Sequence, residues 1–155
     1  MSGAFVREAE GGEAYEDLPD RPISPHANLV TPEGSIWINH EIEALRLRLA
    51  EAQKVEDRAE ISRVSRDLRY WSHRKSSAEV IPPSPDTSHV RFGSRVTFER
   101  DDGRRQTYRI VGEDEADPAR GTIPYVSPLA RALMGKEVGD MVPLTHGEAK
   151  IIKIE

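Results

Sequence analysis

Two apolar stripes at helical spacing, parted by a charged break, most constrain what this chain can fold into. Ile38, Ile42, Leu45 and Leu49 recur at steps of four, three and four residues, a heptad seam. Ile61, Val64, Leu68, Trp71, Lys75 and Ala78 recur at three, four, three, four and three, with Lys75 interrupting the stripe. Between them, Lys54 to Glu60 is charged and the apolar rhythm resets. Neither helix can bury its stripe alone and the connection is short. The economical solution is an antiparallel helical hairpin with Glu56 and Asp57 near its tip. Two helices of an ordinary bundle are the alternative, but the chain offers no further long helices to complete one. Each arm of roughly 20 residues would span ~30 Å at 1.5 Å per residue. Trp37 and Trp71 fall on opposite arms near the hairpin base, where core packing is expected of them.

Charge and pattern divide the rest. Residues 1–30 hold six acids and two bases with scattered Gly and Pro, and read as a disordered acidic tail that cannot offset its ordering entropy. Residues 31–80, the hairpin, hold nine acids and nine bases. Pro82-Pro83-Ser84-Pro85 cannot continue a helix and marks a stiff linker over 81–88. Residues 89–155 read as a separate domain rich in turn and β-branched residues. Val90, Phe92, Val96 and Phe98 alternate on one strand face, with Gly93-Ser94 as a candidate bulge. Asp101-Asp102-Gly103 signals a hairpin turn, and Gln106 to Val111 resumes as a strand. Ser127 to Gly135 reads as a short helix capped by Ser127, opened by Pro128 and ended by Gly135. Glu148 to Ile154 closes an antiparallel sheet. The fold class is α+β.

Composition excludes several functions. Acids outnumber Lys plus Arg by 27 to 22, a net charge of -5, so bulk coating of a duplex is not expected. The absence of cysteine excludes disulfide scaffolds, thiolate nucleophiles and cysteine zinc sites. No apolar run nears the ~20 residues that span a bilayer, and the first residues lack a signal-peptide core, so a soluble cytoplasmic protein is expected; with no firm sign of self-association, monomer is the default. The five histidines show no metal-ligand spacing within an element, and neither a phosphate-binding glycine loop nor a catalytic triad pattern is present.

The C-terminal segment carries a resemblance. Tyr108-Arg109-Ile110-Val111-Gly112-Glu113-Asp114-Glu115-Ala116-Asp117 and Gly121-Thr122-Ile123 are followed by Ser127-Pro128-Leu129-Ala130-Arg131-Ala132-Leu133-Met134-Gly135-Lys136 and Gly139-Asp140. In order and spacing, over about 65 residues, these resemble the C-terminal domain of the bacterial Gre-type transcript cleavage factors (GreA/GreB-like), whose fold is like that of FK506-binding proteins. Thr31-Pro32-Glu33-Gly34 and Leu68-Arg69-Tyr70-Trp71 through Ile81 look like the two ends of that family's coiled-coil hairpin. The tip departs: the acidic string D-x-S-E-N-A-E-Y of cleavage-stimulating members is absent, and the hairpin is shorter.

The resemblance implies a partner and a mechanism. Gre factors dock their C-terminal domain at the rim of the RNA polymerase secondary channel and insert the hairpin. Their tip carboxylates help hold a second magnesium ion while the polymerase hydrolyses backtracked RNA. This chain would then be a transcription elongation factor and a cofactor protein without turnover or bound cofactor of its own, sharing Mg2+ with the polymerase active site. Glu56 and Asp57 are the available tip pair, and they are equally ordinary solvated turn residues. Asp114, Glu115, Asp117, Ser127, Pro128, Arg131 and Lys136 fall on the polymerase-facing surface that the resemblance implies. A solvated acidic loop and helix-end cations are the plain alternatives. Arg58, Arg63, Arg66, Arg69, Arg74 and Lys75 make the second helix basic, either as a solvated face paired across to Glu41, Glu43 and Glu51 or, through Arg58, Arg63 and Arg66, as contacts to nascent RNA phosphates. The competing functions are a secondary-channel regulator or inhibitor without cleavage, a peptidyl-prolyl isomerase-like module, and a helical adaptor.

Overall fold

Both apolar stripes fold as helices in the computed structural model, which describes residues 18–155. Strand β1 (Leu29–Val30) precedes helix α1 (Pro32–Lys54), and helix α2 (Arg58–Ser77) precedes strand β2 (Glu79–Val80). By their contacts the described residues form two compact units, one of 18–25 and 36–77 and the other of 26–35 and 78–155.

The first unit is the helical hairpin. Ile38, Ile42, Leu45 and Ala52 of α1 and Val64 and Trp71 of α2 are buried along the seam. Trp37 meets Trp71 edge-on at 5.1 Å between ring centroids, and Arg48 bridges to Glu60 at 2.7 Å. Position 48 lies eleven residues beyond 37, and 60 eleven before 71, so the arms run antiparallel in strict register. Two details differ from expectation. The seam position after Trp71 is taken by Arg74, 2% exposed, while Lys75 is exposed. A 3.6-residue turn permits either step, and the three-residue step from Trp71 places Arg74 on the buried side. The cross-arm pair also has the reverse polarity, because Glu43 and Glu51 pair within α1 to Arg46 and Lys54.

The second unit is a five-stranded sheet in the order β5-β4-β3-β7-β6, with β3 Arg95–Arg100, β4 Arg105–Val111, β5 Thr122–Pro124, β6 Met141–Pro143 and β7 Glu148–Ile154. It is antiparallel except for the β4–β5 pair, which is parallel and joined through a short 3-10 helix, Pro118–Arg120. Helix α3 (Pro128–Leu133) packs Ala130 and Leu133 against Val96, Phe98, Ile110, Val142 and Ile151. The register shift lies between Thr97 and Phe98 opposite β7, where Ile152 is skipped, and not at Gly93-Ser94, which forms the turn before β3. The β3–β4 turn falls at Asp101-Asp102-Gly103, with Gly103 at φ 84.

A separate two-stranded sheet pairs β1 with β2 in parallel, Leu29 with Glu79 and Val30 with Val80. Parallel neighbours need a long crossover, and here the crossover is the hairpin itself. The expected tail of residues 1–30 therefore stops short: Asp20 and Arg21 contact α2, Leu29–Val30 is a strand, and residues 1–17 lie outside the described part. Among the described residues, no helix is long and apolar enough to cross a membrane.

Candidate functional site

The hairpin tip is a three-residue turn. Helix α1 ends at Lys54, and Glu56 takes a left-handed conformation at φ 55, which turns the chain sharply at some steric cost. Asp57 then caps α2, its Oδ1 accepting from the Glu60 amide at 3.1 Å. One oxygen of Asp57 is thus committed within the turn, while the side chain of Glu56 is exposed. Glu60, one turn on, bridges Arg48 at 2.7 Å and Arg63 at 3.0 Å. Hydrogen bonds from Arg48 and then Arg63 hold its carboxyl below the ordinary range. Among the described residues no three carboxylate or imidazole groups converge as a metal site, and Glu56 and Asp57 stand at the tip as a pair.

Of the basic candidates on α2, Arg58 is exposed at the start of the helix and Arg63 is engaged by Glu60. Arg66 is half-buried, its Nε 3.6 Å from Asp67 Oδ1. These three are not one uniform basic face, because the acids of α2 partly neutralise it.

In the sheet unit, the acidic loop after β4 has an internal task that the sequence did not reveal. Both oxygens of Glu115 are used: Oε2 accepts from the Thr31 amide at 2.9 Å and the Gly112 amide at 3.2 Å, and Oε1 accepts from the Thr31 hydroxyl. Thr31 in turn caps α1 by accepting from the Gly34 amide at 3.0 Å. The carboxylate thereby sits at a helix N-terminus, where the dipole favours it. Two glycines make the room. A Cβ on Gly34 would lie 2.5 Å from the Glu115 carboxyl, and one on Gly112 would lie 2.3 Å from the Leu29 carbonyl oxygen. Nearby, Arg109 faces Glu33 at 3.4 Å. The Glu33 carboxyl lies below its usual range, chiefly through its own backbone amide and then through Thr31 and Arg109.

The other docking candidates divide similarly. Asp117 caps the 3-10 helix through the Ala119 amide, and Ser127 caps α3 through the Ala130 amide at 3.2 Å. Pro128 and Arg131 are exposed on α3, while Asp114 and Lys136 are half-buried. Pro128 also borders a cleft of about 280 Å³ with Leu129, Ala132, Pro143, Leu144 and His146. No Phe, Tyr or Trp lines it. The β6–β7 side of that cleft carried no sequence signal.

Comparison with known proteins adds to this geometry. The family model described as "Transcription elongation factor, GreA/GreB, C-term" matches residues 85–155. The transcription elongation factor GreB of Xanthomonas axonopodis pv. citri is 37% identical over 139 residues, covering 77% of this chain and 83% of that protein. GreB of Neisseria meningitidis serogroup B is 42% identical over 89 residues, a match spanning 56% of this chain and only 55% of that protein's length. Among solved structures, GreA factor homolog 1 (Gfh1) of Thermus thermophilus aligns with 84% of this chain and 99% of its own, at 22% identity and a TM-score of 0.41.

Proposed function

The chain belongs to the GreA/GreB family of transcription elongation factors, and on that premise we propose that it binds RNA polymerase at the secondary channel and modulates cleavage of backtracked RNA. The sheet unit docks at the channel rim through Asp114, Ser127, Pro128, Arg131 and Lys136, with charge complementarity setting association rate and specificity. Glu115 shapes the loop from within, and the exposed Asp117 caps the 3-10 helix beside that surface. The hairpin enters the channel with Glu56 and Asp57 foremost.

The observation that carries this reading is a registered antiparallel hairpin ending in a turn that exposes Glu56 and Asp57. At a borrowed active site, Mg2+ would supply Lewis-acid activation of water, and Glu56 with the free oxygen of Asp57 would orient and balance its charge. The chain is then a cofactor protein, with hydrolysis performed by the polymerase. A second reading, channel occupancy without cleavage, is favoured by the capping duty of Asp57, which leaves fewer free carboxylate oxygens at the tip.

Adding the purified chain to a stalled elongation complex and sizing the RNA separates the two. Shortened transcripts support cleavage; intact transcripts together with polymerase binding support occupancy. Glu56→Gln with Asp57→Asn keeps the helix cap, because Asn caps as well as Asp, and removes both charges. It should abolish shortening and preserve binding. Arg131→Glu should weaken polymerase binding; failure of the parent chain to bind polymerase at all would overturn the proposal.

A further inference from the structure

Residues 18–24 run against α2 within the hairpin unit. Arg69 donates through Nε to Asp20 at 2.6 Å and through Nη2 to the Leu18 carbonyl at 3.2 Å. Arg21 lies 3.4 Å from Asp67, and its guanidinium sits 3.9 Å from the centroid of the Tyr70 ring. Pro19, Pro22 and Pro25 recur at every third position, which restricts the backbone and lowers the entropy lost on laying the segment down.

The attachment is electrostatic more than apolar. Ile23 remains 38% exposed, and a cavity of about 80 Å³ stays open between the segment and Arg69, Tyr70 and His73. Exposed ion pairs of this kind are each worth about 0.2–1 kcal/mol and are weakened by salt. A segment held this way yields to a competitor carrying more charges.

The covered face is suited to one kind of competitor. On α2 the segment touches Asp67, Arg69 and Tyr70 and borders His73, and Arg66, three residues before Arg69, stands on the same side of the helix by its spacing. Cations beside an aromatic ring suit a single-stranded nucleic acid, with phosphates on the guanidinium groups and a base stacked on the ring. We propose that residues 18–24 are a strap that keeps this face self-occupied, Asp20 standing where a phosphate would bind and the Arg21 guanidinium where a base would stack, and that single-stranded RNA displaces it. The inference goes beyond the proposed function, and its test needs no polymerase.

The test uses the full chain and a fluorescein-labelled 12-nucleotide oligouridine, read by anisotropy at low salt, with amide exchange of residues 18–24 followed in parallel. Asp20→Asn with Arg21→Gln removes the strap's two charged side-chain contacts, keeps the backbone bond from Arg69 to Leu18, and leaves net charge unchanged. This variant should exchange faster in the strap and bind RNA about two- to thirtyfold tighter, the range expected from losing two exposed pairs. Adding Arg69→Gln should bring affinity back to the parent's level or below. Saturating the parent with RNA should speed strap exchange. Equal affinity of parent and strap variant would overturn the proposal, as would unchanged strap exchange in the variant or in the RNA-bound parent. Core polymerase capture with the same proteins keeps the two ideas apart: loss of capture by the parent chain sinks the proposed function and leaves the RNA titration standing.

Discussion

Glu115→Ala strips the acceptor from three donors at once, the amides of Thr31 and Gly112 and the Thr31 hydroxyl. Thr31 is 1% exposed and Gly112 is buried, so neither amide reaches bulk water easily. A buried donor left unsatisfied costs about 1–3 kcal/mol, and two amides together about 2–6. Water entering the vacated space moves the figure to the lower half, about 3 kcal/mol. At 1.4 kcal/mol per factor of ten, this corresponds to roughly 100-fold faster exchange at the two amides. Hydrogen exchange followed by NMR reads both directly, with denaturant unfolding as the global check. Glu115→Gln keeps the shape and one acceptor oxygen, so it should fall between parent and Ala variant. Exchange at both amides within about threefold of the parent, with an unchanged unfolding midpoint, would refute the reasoning that this carboxylate holds the start of α1 to the loop after β4.

Two further outcomes follow from the hairpin. Trp71→Ala should destabilise it by about 3–5 kcal/mol, since the ring is nearly buried and edge-packed by Trp37 and Tyr70, while Trp37→Ala, at a partly exposed ring, should cost less; equal losses in helical circular dichroism melts would deny the asymmetry. Glu60's lowered pKa means that its bridge to Arg48 and Arg63 contributes above the ordinary value of 4.5 and is lost as pH falls through the lower folded value. A carboxyl-carbon titration should place its midpoint below 4.5, moving up in Arg48→Gln; a parent midpoint at or above 4.5 would remove the bridge from the account.

The long elements were legible because their signals are periodic and redundant. Four seam residues spaced along α1 tolerate no other partner, and Ser127-Pro128 states the start of α3 in its own chemistry. The short strands β1, β2, β5 and β6 were not legible, since two or three residues carry no period and their pairing is decided by distant chain. The same limit hid the task of Glu115. In sequence it is one acid among several in a loop, and only the fold brings Thr31 and the space above Gly34 and Gly112 to it. Asp57 was recognised as a tip carboxylate, but its capping bond needed coordinates because the resetting rhythm left the start of α2 undefined. Residues 18–24 read as tail for want of apolar content, and their attachment by charge and ring contact is the kind of order that hydrophobic patterning does not report.

The equal eleven-residue spacing of the Trp37–Trp71 and Arg48–Glu60 contacts governs how such a hairpin can change in the course of descent. Residues inserted in one arm alone would slide one apolar row past the other and leave the tryptophans facing the wrong neighbours. One heptad gained or lost on both arms together restores every pairing and alters the length by about 10 Å. Length is therefore inherited in steps, and a lineage can shorten or extend this probe without redesigning either of its ends.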